Sequence, residues 1–212
     1  MRYLADIAHA FMGLLLIAAL AGLSFATAIE WRKSPAALPV APAIVASKAP
    51  PSARSTIPPP AEEARLLVGR HLLIPVEGVT RASLHDTFDD KRGLRRHEAL
   101  DIMAPRGTPV LAVSDGRVMK LFHSVLGGIT IYEADPDEKY IYYYAHLDRY
   151  ADGLKDGQVV KRGEVIGYVG STGNAPANAP HLHFTIFRMS DDKKWWKGTA
   201  VNPFSFLVEA RR

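Results

Sequence analysis

Hydrophobic and polar positions divide the 212-residue chain into three textures. From Ile7 to Ile29 no side chain carries a formal charge, and the run IAHAFMGLLLIAALAGLSFATAI is long enough to cross a bilayer core, which needs about 20 apolar residues. Residues 34–60 then hold eight of the fifteen prolines and no glycine. Proline fixes φ and removes backbone donors, so this stretch predicts an extended, semi-rigid tether. Residues 61–70, AEEARLLVGR, read as a short helix. From about Leu72 onward, short apolar or aromatic runs are separated by the turn pairs Arg106-Gly107, Asp115-Gly116, Gly127-Gly128, Asp152-Gly153, Asp156-Gly157 and Arg162-Gly163. That spacing, with β-branched residues between the turns, predicts an all-β domain built as a small antiparallel sheet. The strands are expected over Val110–Val113, Arg117–Phe122, Ile129–Glu133, Tyr140–Ala145, Val165–Val169 and His181–Phe187. No long segment carries a helical apolar stripe, and no internal repeat is visible.

The pattern thus predicts a transmembrane anchor or signal segment over 1–30, a Pro/Ala-rich linker over 31–65 and a folded domain over 66–212. Trp31, Arg32 and Lys33 at the end of the apolar run suit an uncleaved anchor at the membrane interface. The competing reading is a secretory signal cleaved near Ala28, because Ala26-Thr27-Ala28 has the small-x-small form. Both readings export the domain.

Composition narrows the chemistry. A formal charge of +4 and an isoelectric point near 9.3 are mildly basic, with no block of six basic residues, so nucleic acid is not an expected partner. The chain has no cysteine, so disulfides and thiolate metal sites are excluded, and any metal must be held by histidines and carboxylates. Of eight histidines, His9, His71, His85 and His123 stand alone and read as surface or hydrogen-bonded residues. His97, in HEALD, shares a face with Asp101 whether the segment is strand or helix. Alone, that pair is equally a surface ion pair. His181 and His183, in HLHF, project to one face of a strand while Leu182 faces the other way; they are either two satisfied strand histidines or two working groups. His146 ends the aromatic run YYYAHL. One His–Asp pair and one further His would supply the three N/O ligands a catalytic zinc uses, with a position left for water.

Taken together, RRHEALDIMAPRGTPVLAVSDGRV, YYYAHL, VIGYVGSTGNAPANAPHLHF and VNPF resemble, in order and over about residues 75–206, the LytM/lysostaphin-type zinc metallopeptidases, peptidase family M23. The resemblance implies that His97, Asp101 and His183 bind one Zn²⁺ in a groove. It implies that His146 and His181 are the catalytic histidines that do not bind it. His181 would take or orient a proton, and a protonated His146 would stabilise the oxyanion, the choice of base between them staying open. Ala99 stands where the family pattern HxGxD has glycine. That departure raises the question of whether the backbone there needs φ > 0 or close approach.

The implied activity is hydrolysis of peptide cross-links in bacterial peptidoglycan by a zinc endopeptidase. The alternatives are a non-catalytic wall-binding or amidase-activating relative, and a metallopeptidase acting on exported proteins. The expected partners are peptidoglycan peptides and a membrane through the N-terminal segment, with a protein regulator left open. The expected location is the inner membrane, single-pass, with the domain in the periplasm.

Overall fold

A computed structural model describes residues 60–209. The expected anchor and most of the expected linker lie outside the described residues, and among the described residues no helix is long and apolar enough to cross a membrane. The helix α1 (Pro60–Gly69) begins ahead of the expected domain start at 66. Proline at its first position, with Glu62 and Glu63 in the first turn, suits the unpaired N–H groups and positive dipole end there. α1 buries Leu67, and Glu63 takes two hydrogen bonds, 2.9 and 3.0 Å, from Arg188.

The remainder is antiparallel β-structure: β1 (Lys91–Arg92), β2 (Arg95–Arg96), β3 (Leu100–Met103), β4 (Pro109–Leu111), β5 (Gly116–Ser124), β6 (Gly128–Ala134), β7 (Tyr140–Tyr150), β8 (Val159–Val160), β9 (Val165–Val169), β10 (His181–Met189) and β11 (Gly198–Val201). β1 and β2 form a separate hairpin. The main sheet runs β11-β10-β7-β6-β5-β8, with β3 added to β10, β9 to β7 and β4 to β9. The six expected strands are all present. β5 and β7 run further than expected, and the first stops at Leu111 because Val113 turns its N–H to the Tyr144 hydroxyl at 3.0 Å.

Strand alternation explains the core. Leu182, Phe184 and Ile186 on β10 pack with Tyr142 and Tyr144 on β7 and with Leu100, Ile102, Val110, Ile131 and Ile166, all nearly or fully buried. The other face carries a smaller cluster of Ala134, Ile141 and Met189 under Tyr132, Phe187 and Trp195. Of the three consecutive tyrosines, the outer two are core residues, while Tyr143 stays half-buried and lines the groove described next.

β7 changes partners along its length. Residues 140–145 pair with β10, in the register His183↔Ala145, whereas Leu147 to Tyr150 pair with β9. His146 stands at the change, with φ of 60°. A non-glycine residue in that left-handed region is held at a cost of order 1–3 kcal/mol, so the surroundings must fix it. They do so twice: its N–H bonds Gly127 O at 2.8 Å and its Nδ1–H bonds Thr172 O at 2.8 Å.

Candidate metal centre and active site

Antiparallel register brings the distant residues together. His183 on β10 lies directly opposite Asp101 on β3, and opposed residues in a ladder project from the same face. His97 arrives on the loop before β3, pinned by His97 N–H to Asp90 O and Glu98 N–H to Phe88 O, both 2.8 Å. His97 Nε2, Asp101 Oδ1 and His183 Nδ1 then form a triangle with edges of 3.0, 3.1 and 3.2 Å. Bonds of about 2.0–2.1 Å at tetrahedral angles would place donors roughly 3.3 Å apart, so the three atoms already have the spacing of a zinc ligand set. Two nitrogens and one carboxylate oxygen are also the donor types open to a chain without cysteine.

Three of the four rings are each oriented by a main-chain carbonyl. Thr87 O, Thr172 O and Ala179 O accept from Nδ1 of His97, His146 and His181 at 3.0, 2.8 and 2.9 Å. A carbonyl only accepts, so Nδ1 carries the proton in all three, and in the neutral ring Nε2 presents its lone pair. For His97 that lone pair completes the triangle. The His181 Nε2 lies 3.6 Å from Asp101 Oδ1, and the His146 ring packs edge-on against those of His181 and His183 at 5.0 and 5.4 Å. Burial pushes the His146 imidazole down to about 4, against the opposing pull of the Thr172 carbonyl, so the ring is neutral at pH 7.

Asp101 has the opposite balance. Burial alone would raise its carboxyl, but the His183 and His97 imidazoles beside it outweigh burial and hold the group well below the usual carboxylate range. Its second oxygen accepts from Arg92 Nη2 at 2.8 Å. Thr87 supports Asp101 from behind: its hydroxyl accepts Asp101 N–H at 3.1 Å and donates to Ala99 O at 3.2 Å.

Ala99 itself is fully buried and does not have positive φ; the left-handed residue of this loop is Glu98, with φ of 58°. The backbone requirement that glycine would meet at position 99 is therefore absent. Thr87, Thr172, Arg92 and the carbonyl of Ala179 had no sequence signal. A carbonyl acts whatever the side chain, and a single threonine or arginine has no distinctive pattern. His71, His85 and His123 lie exposed, away from the cluster, and His9 is outside the described residues.

The groove extends to both sides of the triangle. On one side a cavity of about 580 Å³ is lined by Tyr143, Phe187, Leu126 and the arginines of the β1–β2 hairpin. On the other, a cavity of about 450 Å³ is lined by Met103, Ala175, Pro176 and Ala179. Residues 171–180 thus form a wall, stitched to the sheet by Thr172, whose hydroxyl accepts Ile129 N–H at 3.0 Å and donates to Leu147 O at 2.7 Å.

Residues 95–203, which include all five of these residues, match the model of the family described as peptidase family M23. The chain belongs to peptidase family M23. An L-Ala–D-Glu endopeptidase of Bacillus subtilis (strain 168) is 36% identical over 136 residues, covering 60% of this chain and 41% of its own. The peptidoglycan DD-endopeptidase ShyC of Vibrio cholerae is 37% identical over 91 residues, covering 43% of this chain and 20% of its own. Among solved structures of the M23 fold, the antimicrobial peptidase lysostaphin from Staphylococcus simulans superposes with a TM-score of 0.51 at 29% identity, covering 65% of this chain and 53% of that one. The chain spans less than half the length of these curated relatives.

Proposed function

We propose that this M23 protein is a zinc-dependent endopeptidase that hydrolyses peptide cross-links in bacterial peptidoglycan. One observation carries the reading: His97 Nε2, Asp101 Oδ1 and His183 Nδ1 converge within 3.0–3.2 Å in an open groove, with two further imidazoles beside them. These three atoms would hold the ion. When bound, zinc acidifies water and polarises an amide carbonyl. The chain supplies the proton handling. His146 Nε2 is unprotonated at rest and fixed by Thr172 O, which suits it to accept a proton in the groove and return it to the leaving amine. His181, anchored at Ala179 O, presents a second Nε2 toward the same centre. Tyr143, its ring centroid 6.2 Å from that of His183, closes the groove floor. The non-catalytic alternative predicts a broken ligand set, and no position of the set is missing here.

Incubating zinc-replete protein with purified sacculi and analysing the soluble muropeptides tests the proposal. Release of cross-link-derived fragments by the wild-type chain, and none by His183→Ala, is the expected result. Intact sacculi with a zinc-loaded sample would remove the wall reading, and a digest of unfolded exported proteins would then separate the protease alternative. The same reading places the domain on the periplasmic side of the inner membrane, supported by the uncharged run 7–29 and the proline-rich tether. Protease accessibility of the domain in spheroplasts, against its protection in whole cells, checks this.

A further inference from the structure

The β1–β2 hairpin sits over the larger cavity, and its charges do not balance. Its register places Arg92 directly opposite Arg95, with Gly93, at φ of 64°, and Leu94 making the turn. Opposed residues of an antiparallel pair project from one face, and like charges there repel, by roughly 0.2–1 kcal/mol. Arg92 is compensated, because its Nη2 reaches Asp101 Oδ2 at 2.8 Å. Arg96 is compensated by Asp89 Oδ1 at 2.9 Å. Arg95 has neither an ion pair nor a side-chain hydrogen bond among the described residues, yet it lines the same cavity as His97, His146 and His183. Against these three arginines the cavity wall carries one carboxylate, Glu98. The hairpin is also not a remote surface loop: β2 is followed at once by His97, and Arg92 grips a residue of the triangle.

We infer that Arg95 is a specificity-determining residue that binds a free carboxylate of the peptide substrate beside the scissile amide, so that this protein discriminates acidic peptides from their amidated forms. The inference rests on the peptidoglycan-peptidase reading and names the substrate class of the same site. A guanidinium presents several N–H donors in a plane that matches a carboxylate, and a carboxamide offers one acceptor without charge. A charge-assisted pair of this kind is worth about 10- to 100-fold in affinity. Arg92 already has Asp101 as its partner, so the charge left for an entering anion to neutralise is that of Arg95.

The test uses the zinc-loaded full chain and two soluble cross-linked muropeptides, identical except that the carboxylates next to the cross-link are free in one and carboxamides in the other. Equilibrium binding and kcat/KM are both measured. The wild type is expected to favour the acidic peptide by about 10- to 100-fold. Arg95→Gln should collapse that ratio toward one, while Arg95→Lys, which keeps the charge without the planar fork, should retain part of it. Equal affinity of the wild type for the two peptides overturns the proposal. So does an unchanged ratio in Arg95→Gln, or an equal loss on both peptides, which would signal only a general positive field. Absence of hydrolysis of either peptide would count against the peptidase reading, while the binding ratio would still decide the role of Arg95.

Discussion

Replacing Thr87 by valine removes one hydroxyl and keeps the shape and the carbonyl that orients His97. Two hydrogen bonds go with it, Asp101 N–H to Oγ1 at 3.1 Å and Oγ1–H to Ala99 O at 3.2 Å. An orphaned buried donor or acceptor costs about 1–3 kcal/mol. Both bonds are at the long end of the normal range and Thr87 is half-buried, so the two together are worth about 2 kcal/mol. The first bond holds Asp101 itself and the second holds the backbone two residues before it, and the loss should therefore fall mainly on the metal-loaded state. Two kcal/mol corresponds to roughly 30-fold in affinity, within the 10- to 100-fold typical of groups that orient a ligand. Zinc affinity measured by competition with a chromogenic chelator should drop about 10- to 30-fold for Thr87→Val, with urea unfolding of the apo-protein little changed and Thr87→Ser restoring the wild-type value. Valine binding zinc within about twofold of the wild type would refute the reasoning, since the hydroxyl would then contribute nothing to the position of Asp101.

Three other outcomes follow from the geometry. His146→Ala should keep stoichiometric zinc while kcat falls about 10²- to 10⁴-fold, checked by metal analysis alongside muropeptide release. Gly128→Ala should destabilise the fold by about 3 kcal/mol in urea unfolding, because a Cβ there, at φ of +64°, would meet Thr172 Oγ1 at 2.2 Å and its carbonyl carbon at 2.4 Å. Burial raises the Glu133 carboxyl to about 8, against the opposing hydrogen bond from Tyr144 at 2.5 Å. The folded protein keeps that proton while the unfolded chain releases it above about pH 4.5, so wild-type stability falls as pH rises toward about 8. Glu133→Gln does not titrate, and its Tm advantage over the wild type should widen between about pH 5 and pH 8; a constant difference would contradict the buried neutral acid.

The strands that sequence reading located were those with an apolar face to bury. β7 and β10 announce themselves because one side of each must enter the core, and the same alternation placed His181 and His183 on the opposite side. β1 and β2 escaped notice because KR and RR bury nothing, and β3, β8 and β11 because two to four residues are too few to show a period, even where β3 buries Leu100 and Ile102. The residues of the triangle were legible as types and as a resemblance, but not as a meeting point: the pairing His183↔Asp101 depends on β3 and β10 being neighbours across 82 residues. The neutral state of His146 was illegible for another reason. It arises from burial and from where β7 exchanges β10 for β9, and neither is a property of the local sequence.

The orientation of three of the four imidazoles by backbone oxygens gives the site an unusual tolerance. The side chain at 179 can be exchanged without touching the bond that aims His181, whereas Thr172 aims His146 with its carbonyl and holds the wall to the sheet with its hydroxyl. Lengthening or shortening the wall between Ser171 and Pro180 would move those oxygens and misdirect the rings. Evolution or a designer could therefore rewrite the rim for new peptides by substitution, whereas insertions there would strike at the chemistry itself.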